Sequence, residues 1–110
     1  MLDRAFDMVN WDRVSELREE VGEEDLAEVI MLFCEEVEEV LAVLDQAPAA
    51  DMPGHLHFLK GSALNIGFAA VSTRCEAEEA KLKQAPDTAP DIVGIRADYM
   101  ASKAELDSLI

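Results

Sequence analysis

Apolar residues recur along the chain at spacings of three and four, which places them on one side of an α-helix. No segment shows the apolar–polar alternation of period two that a half-buried strand requires. Turn residues, chiefly glycine and proline, divide the chain into five segments. The pattern therefore predicts an all-α protein.

The first two segments are predicted to be a short helix and a long one. Asn10 can cap the short helix, which ends at Gly22. The long helix is predicted from Glu23 to about Ala47, with acidic residues at its start, where the helix dipole favours them. Its apolar stripe consists of Leu26, Ile30, Phe33, Val37, Leu41 and Leu44.

Three further helices follow. Asp51 can cap the third, which tolerates Pro53 in its first turn and ends near Gly67. The fourth is predicted over residues 69–84, and the fifth begins at Asp91. The apolar residues that the last two helices turn inward are Val71, Cys75, Leu82, Ile92, Ile95, Tyr99 and Leu106.

Four sizeable amphipathic helices with short connections predict an antiparallel up-down four-helix bundle, with the additional short N-terminal helix covering one end. Residues 1–110 are expected to form a single domain, because half of them are apolar and one core can be filled. Cys34 and Cys75 lie within helical apolar patterns and are predicted to be buried thiols, without a disulfide or a zinc site.

The charge of the chain excludes several classes of function. With 24 acidic residues against 9 basic ones, the formal net charge is −15, which repels nucleic acid and anionic lipid. Residues 1–7 contain no apolar signal-peptide core, and no stretch approaches the roughly 20 apolar residues of a membrane span. We therefore expect a cytoplasmic protein with no nucleic-acid or membrane partner.

The third helix contains both histidines of the protein. At about 100° per residue, four apolar residues gather into one arc that must face the core. These are Leu56, Leu59, Ala63 and Ile66. His57 lies almost opposite that arc and is predicted to be exposed, with Lys60, Gly61 and Leu64 on its side of the helix. His55 falls at the edge of the arc and is predicted to be a half-buried histidine at its rim.

The exposed surface around His57 suits the acceptance of a phosphoryl group. A neutral imidazole, with an unperturbed pKa of about 6.5, has a nucleophilic nitrogen near neutral pH. Lys60 can offset the charge of a bound phosphoryl group, which is close to −2. Gly61 costs the helix about 1 kcal/mol relative to alanine, which indicates a need for clearance beside His57. Leu64 would then belong to a docking surface.

The run from His57 to Ala63, closed by Gly67, resembles the H-x-L-K-G-S-[AS] signature of histidine-phosphotransfer (HPt) domains of two-component phosphorelays. Residues 22–24, Phe33 and Cys75 also occupy positions similar to those of the family, so the resemblance covers nearly the whole chain. It implies a four-helix bundle in which His57 accepts a phosphoryl group from a receiver-domain aspartate and passes it to another receiver. Lys60 would be the charge partner of the phosphoryl group, and Gly61 the clearance position.

The resemblance also implies partners and cofactors. The expected partners are response-regulator receiver domains and a hybrid histidine kinase. The protein, expected to be a monomer, would need no cofactor of its own, and Mg²⁺ would be bound by the partner receiver. The chain lacks the Gly-rich ATP-binding boxes of a kinase, so it is not expected to be an enzyme.

Two other functions remain open from the residues. The first is an acidic helical module that binds a partner without phosphoryl chemistry. The second, a metal-binding bundle, has little support, because His55 and His57 diverge on the helix and no Glu-x-x-His occurs.

Two residues of the fourth helix are also notable. Glu78 departs from the apolar residue that the family commonly has at this position, and Arg74 is interpreted as a surface charge.

Overall fold

The computed structural model of the protein describes residues 8–108, which form five α-helices and no strand. The helices are α1 (Trp11–Val21), α2 (Leu26–Val43), α3 (Met52–Ile66), α4 (Ala69–Gln84) and α5 (Ile92–Asp107). Short 3₁₀ turns at Leu44–Gln46 and Ala49–Asp51 lie between α2 and α3. The all-α prediction is confirmed.

Helices α2 to α5 form the predicted up-down bundle. The α3 helix packs against both α2 and α4, and α4 packs against α5, while α1 contacts α2 and α3. Each helix of the bundle buries the apolar stripe predicted for it, apart from Phe33 and Ile92, which are only half-buried. The largest fully buried side chains include Phe68, Leu44, Leu56, Leu59, Ile66, Ile95 and Leu106. The bundle core therefore fixes the rotation of α3.

The α1 helix is attached to the C-terminal end of α3. The Asn10 side chain caps α1 as predicted, and the backbone N–H of Asn10 donates to the Gly67 carbonyl at 2.6 Å. Arg13 Nε donates to the Asn65 carbonyl at 2.9 Å. Gly67 has a φ of +81°, and a Cβ there would lie 2.8 Å from the Asn10 carbonyl oxygen. A glycine is thus required both to end α3 and to let α1 approach.

The predicted start of α2 was wrong by three residues. Gly22 follows the last residue of α1 and has a φ of +89°. Residues 23–25 then form a turn in which the Asp25 N–H donates to the Gly22 carbonyl. The chain needs this turn to change direction before it can re-enter a helix. The α2 helix consequently begins at Leu26 rather than Glu23.

The predicted end of α2 and the predicted cap of α3 also need correction. The α-helix ends at Val43 and tightens into a 3₁₀ turn before Ala47. Asp51 makes no side-chain capping hydrogen bond, and its N–H donates to the Pro48 carbonyl at 3.0 Å within the second 3₁₀ turn. That turn gives Asp51 helical backbone angles, φ −90° and ψ −14°, whereas a capping side chain requires an extended residue.

A cluster of charged residues joins α4 to the start of α5. The buried Glu78 carboxylate accepts a hydrogen bond from the Asp91 N–H at 2.9 Å and one from Lys81 at 2.8 Å. Burial opposes ionisation of Glu78, but these two hydrogen bonds together outweigh it and lower its pKa. Arg74 pairs with Asp91 at 2.9 Å and with Asp98, so it is a structural cation and not merely a surface charge.

Polar side chains also bridge α2 and α5. The Tyr99 hydroxyl donates to Glu38 at 2.5 Å, and Lys103 pairs with the same carboxylate at 3.2 Å. These two hydrogen bonds lower the pKa of Glu38, while burial and the nearby carboxylate raise that of Tyr99. Cys34 and Cys75 are buried free thiols as predicted, and burial raises the pKa of Cys75 to about 12.

Candidate functional site

His57 lies on the outer face of α3. Its side chain is 75 % exposed, whereas the four apolar residues of the predicted arc are all buried. His55 is half-buried, as expected for a histidine at the rim of the core face. The helical spacing of the third segment therefore placed both histidines correctly.

A carboxylate from the neighbouring helix faces His57. Glu79 of α4 has its Oε2 atom 3.7 Å from His57 Nδ1 and its Oε1 atom 3.2 Å from Lys60 Nζ. The Glu79 side chain is only 15 % exposed, and Lys60 is half-buried. A single carboxylate thus bridges the imidazole and the ammonium group across the α3–α4 interface.

This arrangement gives the two imidazole nitrogens different surroundings. Nδ1 faces Glu79, at a distance suited to an ion pair with a protonated ring but longer than a hydrogen bond. Glu79 Oε1 is buried without a hydrogen bond, so Lys60 supplies the opposing positive charge. A carboxylate beside Nδ1 favours the tautomer that carries its proton there, leaving the Nε2 lone pair for a nucleophilic role.

The other predicted site residues border His57 on the same surface. A Cβ placed on Gly61 would meet nothing within 4 Å, so no other part of the fold requires a glycine there. Leu64 is 58 % exposed, and Phe58 is 40 % exposed. These residues therefore form an apolar, partly bare surface beside the imidazole, whose other neighbours are Glu79 and Lys60.

Sequence reasoning did not identify Glu79. Its position four residues after the buried Cys75 places it at the edge of the inward stripe of α4, a signal that the sequence does contain. Nothing in the spacing, however, indicates that this edge of α4 faces His57. Only the packing of the two helices brings the carboxylate and the imidazole together.

Residues 8–108 contain no cluster of three or more His, Cys, Asp or Glu side chains placed to hold a metal ion. None of the helices in that range is long and apolar enough to cross a membrane.

A family model described as the Hpt domain matches residues 28–109, which is most of the chain. The chain belongs to the Hpt domain family. Hpt domains are helical bundles that act in histidine phosphotransfer in two-component phosphorelays, in agreement with the fold described above. The Hpt match includes α3 with His57 and begins within α2, so α1 lies outside it. No curated protein and no solved structure matches the chain at a significant level.

Proposed function

We propose that His57 accepts a phosphoryl group from the phosphorylated aspartate of one receiver domain and passes it to the aspartate of another. The observation that carries this proposal is an exposed imidazole whose Nδ1 faces the Glu79 carboxylate, on a helix of an Hpt domain. Lys60 and the open surface at Gly61 support it.

The chemistry assigns a role to each nitrogen of the ring. The Nε2 lone pair of His57 attacks the phosphorus atom, and the bond to the aspartate oxygen breaks, so that its electron pair leaves on the aspartate carboxylate. The ring becomes a phosphoimidazolium with its proton on Nδ1, and Glu79 opposes that positive charge. Onward transfer is the same step in reverse with a second aspartate, and the chemistry allows either direction.

The other predicted residues stabilise the charge of the phosphoryl group or give the partner access to His57. Lys60, held by Glu79 next to His57, opposes the negative charge of the phosphoryl oxygens. Gly61 and Leu64 belong to the docking surface, where a bare backbone lets the partner's active site reach the imidazole. The receiver is expected to supply Mg²⁺, and a hybrid histidine kinase is expected to supply the phosphoryl group upstream.

The first experiment compares phosphoryl uptake by three forms of the protein from receiver domains charged with acetyl phosphate. The site is located by mass spectrometry under conditions that preserve acid-labile phosphohistidine. Wild type and His57→Gln should differ completely in uptake while sharing the same circular dichroism melting curve, because an exposed side chain contributes little to stability. His55→Gln is the matched control and should be labelled like the wild type.

Other outcomes would point elsewhere. Absence of label on wild type with a panel of receivers would favour a module that binds a partner without phosphoryl chemistry. Label lost only in His55→Gln would assign the reaction to the other histidine.

A further inference from the structure

The α5 helix has a second apolar face that the core does not use. Its buried face consists of Ile95, Tyr99, Ser102 and Leu106. A further set of apolar residues follows at spacings of four, three and four, and all of them are exposed: Val93, Ala97, Met100 and Ala104. At about 100° per residue, this set falls within an arc of about 60° that lies almost opposite the buried face. We call these four residues the outer stripe of α5.

The packing of the bundle does not explain the outer stripe. Val93 and Met100 are the two most exposed large apolar side chains of residues 8–108. The neighbouring helix α4 has mainly polar residues on its outer face, among them Thr73, Glu76, Lys83 and Gln84. Single exposed apolar residues are common on protein surfaces, but a continuous stripe of them indicates an interaction surface.

A groove runs beside the outer stripe, between α5 and α2. The α3 helix packs against α2 and α4, and α4 packs against α5, whereas α2 and α5 approach each other less closely. The groove has a volume of about 640 Å³, with Leu41 and Tyr99 among its lining residues. Met100 and Ala104 of the outer stripe form its α5 wall. The stripe and the groove are therefore one continuous surface, away from the α3–α4 interface that holds His57.

The shape of this surface fits a helix. Intervals of three and four residues are those at which one α-helix packs lengthwise against another. Ala97 and Ala104 are small, so a second helix can approach the α5 backbone closely. A further groove continues the seam past Glu38 and Lys103 to Met31 of α2, which lengthens the surface along the helix axes.

The charges at the edge of the surface indicate the chemistry of that helix. Glu35 and Glu38 of α2 and Asp107 of α5 line the seam. The two cations there, Lys103 and Arg96, each already pair with a carboxylate. Glu35 and Asp107 form no ion pair within residues 8–108. The unopposed charge along the seam is therefore negative, which complements a helix with basic residues on its flanks.

A second copy of this chain fits the surface less well. Each copy has a formal net charge of −15, so two copies repel each other. The acids that border the seam would add to that repulsion, whereas they would attract a basic helix.

We propose that the outer stripe and the α2–α5 groove form a docking site for an amphipathic, basic helix of a partner protein. The apolar residues of that helix lie over Met100 and the groove, and its lysine or arginine residues lie toward Glu35 and Asp107. The site is separate from the proposed phosphotransfer at His57, so the imidazole stays exposed when the helix is bound.

The test measures the dissociation constant of a fluorescent synthetic helix by anisotropy, at about 0.1 M ionic strength. The peptide has about three heptads, with leucine at the two core positions of each heptad and lysine at the positions beside them. A second peptide of the same length has glutamate in place of every lysine. We expect the glutamate peptide to bind at least ten-fold more weakly than the lysine peptide.

The apolar contact is tested by Met100→Gln. Leu32→Gln is the matched control, because Leu32 is also an exposed apolar residue but lies about a quarter turn from the residues of α2 that line the groove. Met100→Gln should raise the dissociation constant ten-fold or more, and Leu32→Gln should change it less than two-fold. Both variants should keep the wild-type melting temperature, since both side chains are exposed.

The charge and the place of binding are tested separately. Glu35→Gln should weaken binding of the lysine peptide three-fold or more, whereas Glu76→Gln, the same change at an exposed position of α4, should have less than half that effect. In ¹⁵N-labelled protein, the peptide should shift the amide signals of α2 and α5 and leave those around His57 unchanged.

Three results would overturn the proposal. The first is an unchanged dissociation constant in Met100→Gln. The second is an equal effect of Glu35→Gln and Glu76→Gln, which would mean that the peptide responds only to the net charge. The third is a wild-type dimer in sedimentation equilibrium that Met100→Gln dissociates, because a second copy would then occupy the surface. None of these measurements involves phosphoryl transfer, so they test the docking site independently of the proposed function.

Discussion

At the residue scale, the site depends on one carboxylate that serves two neighbours. Glu79 faces Nδ1 of His57 with one oxygen and Lys60 with the other. Because the carboxylate is mostly shielded from water, its charge acts on the imidazole more strongly than that of a fully exposed acid would. In the proposed reaction, Glu79 opposes the positive charge that forms on the imidazole as Nε2 attacks phosphorus.

The charge of Glu79 can be tested by the isosteric change Glu79→Gln. The amide keeps the size and an acceptor oxygen but cannot oppose the imidazolium charge, so the transfer rate at saturating receiver should fall about ten-fold, which is about 1.4 kcal/mol. The receiver concentration for half-maximal rate should stay unchanged, since the mostly buried Glu79 side chain offers little surface to a partner. Rapid-quench kinetics measures both quantities.

Glu76→Gln is the matched control, because it makes the same change at an exposed position of α4. An equal saturating rate in Glu79→Gln and Glu76→Gln would show that the carboxylate is not used in transfer.

At the element scale, the position of α5 against α4 depends on the buried Glu78. Its carboxylate accepts the Asp91 N–H just before α5 begins, and Arg74 pairs with the Asp91 side chain. These contacts satisfy a backbone donor at the helix start that would otherwise be costly to bury. The acid at position 78, where an apolar residue is common in similar domains, is therefore explained by its hydrogen bonds.

Glu78→Gln should destabilise the protein by about 1 to 2 kcal/mol near pH 7, because the hydrogen bonds that the buried carboxylate accepts from the Asp91 N–H and Lys81 lose their charged acceptor. The pKa of Glu78 is lowered by folding, so this stability is present above its ordinary pKa of 4.5 and lost as the pH falls through the lower folded value. Urea unfolding at pH values between 7 and 3 measures the difference.

The gap between wild type and Glu78→Gln should narrow as the pH falls below 4.5. Glu76→Gln should show no such gap at any pH, since its carboxylate is exposed. A gap for Glu78→Gln that stays constant down to pH 3 would contradict the lowered pKa.

At the scale of the whole molecule, the net charge of −15 acts against the compact state. Like charges repel one another in the folded bundle, and we expect this repulsion to exceed the stabilisation from the exposed ion pairs, each worth about 1 kcal/mol or less.

Added salt should therefore stabilise the protein. The Debye length falls from about 30 Å at 0.01 M to about 10 Å at 0.1 M ionic strength, which screens repulsion across the whole bundle. The melting temperature, followed by circular dichroism at pH 7, should rise between these two NaCl concentrations, and KCl should have the same effect. A lower melting temperature in added salt would mean that the ion pairs contribute more than the repulsion costs.

The sequence by itself determined the five helices, the inward faces of the bundle and the exposure of His57. These features follow from local periodicity, because the rotation of each residue around a helix is set by the backbone and the apolar arc must face the core. The exact ends of α2 and the missing cap at Asp51 were not predicted, since they depend on how the chain turns through Gly22 and Pro48.

Only the tertiary structure decided which groups from other helices meet those of α3. Glu79 and His57 are 22 residues apart, and no periodicity within either helix indicates that their edges face each other. Packing between helices sets this contact, since it fixes the distances between residues that are remote in the chain.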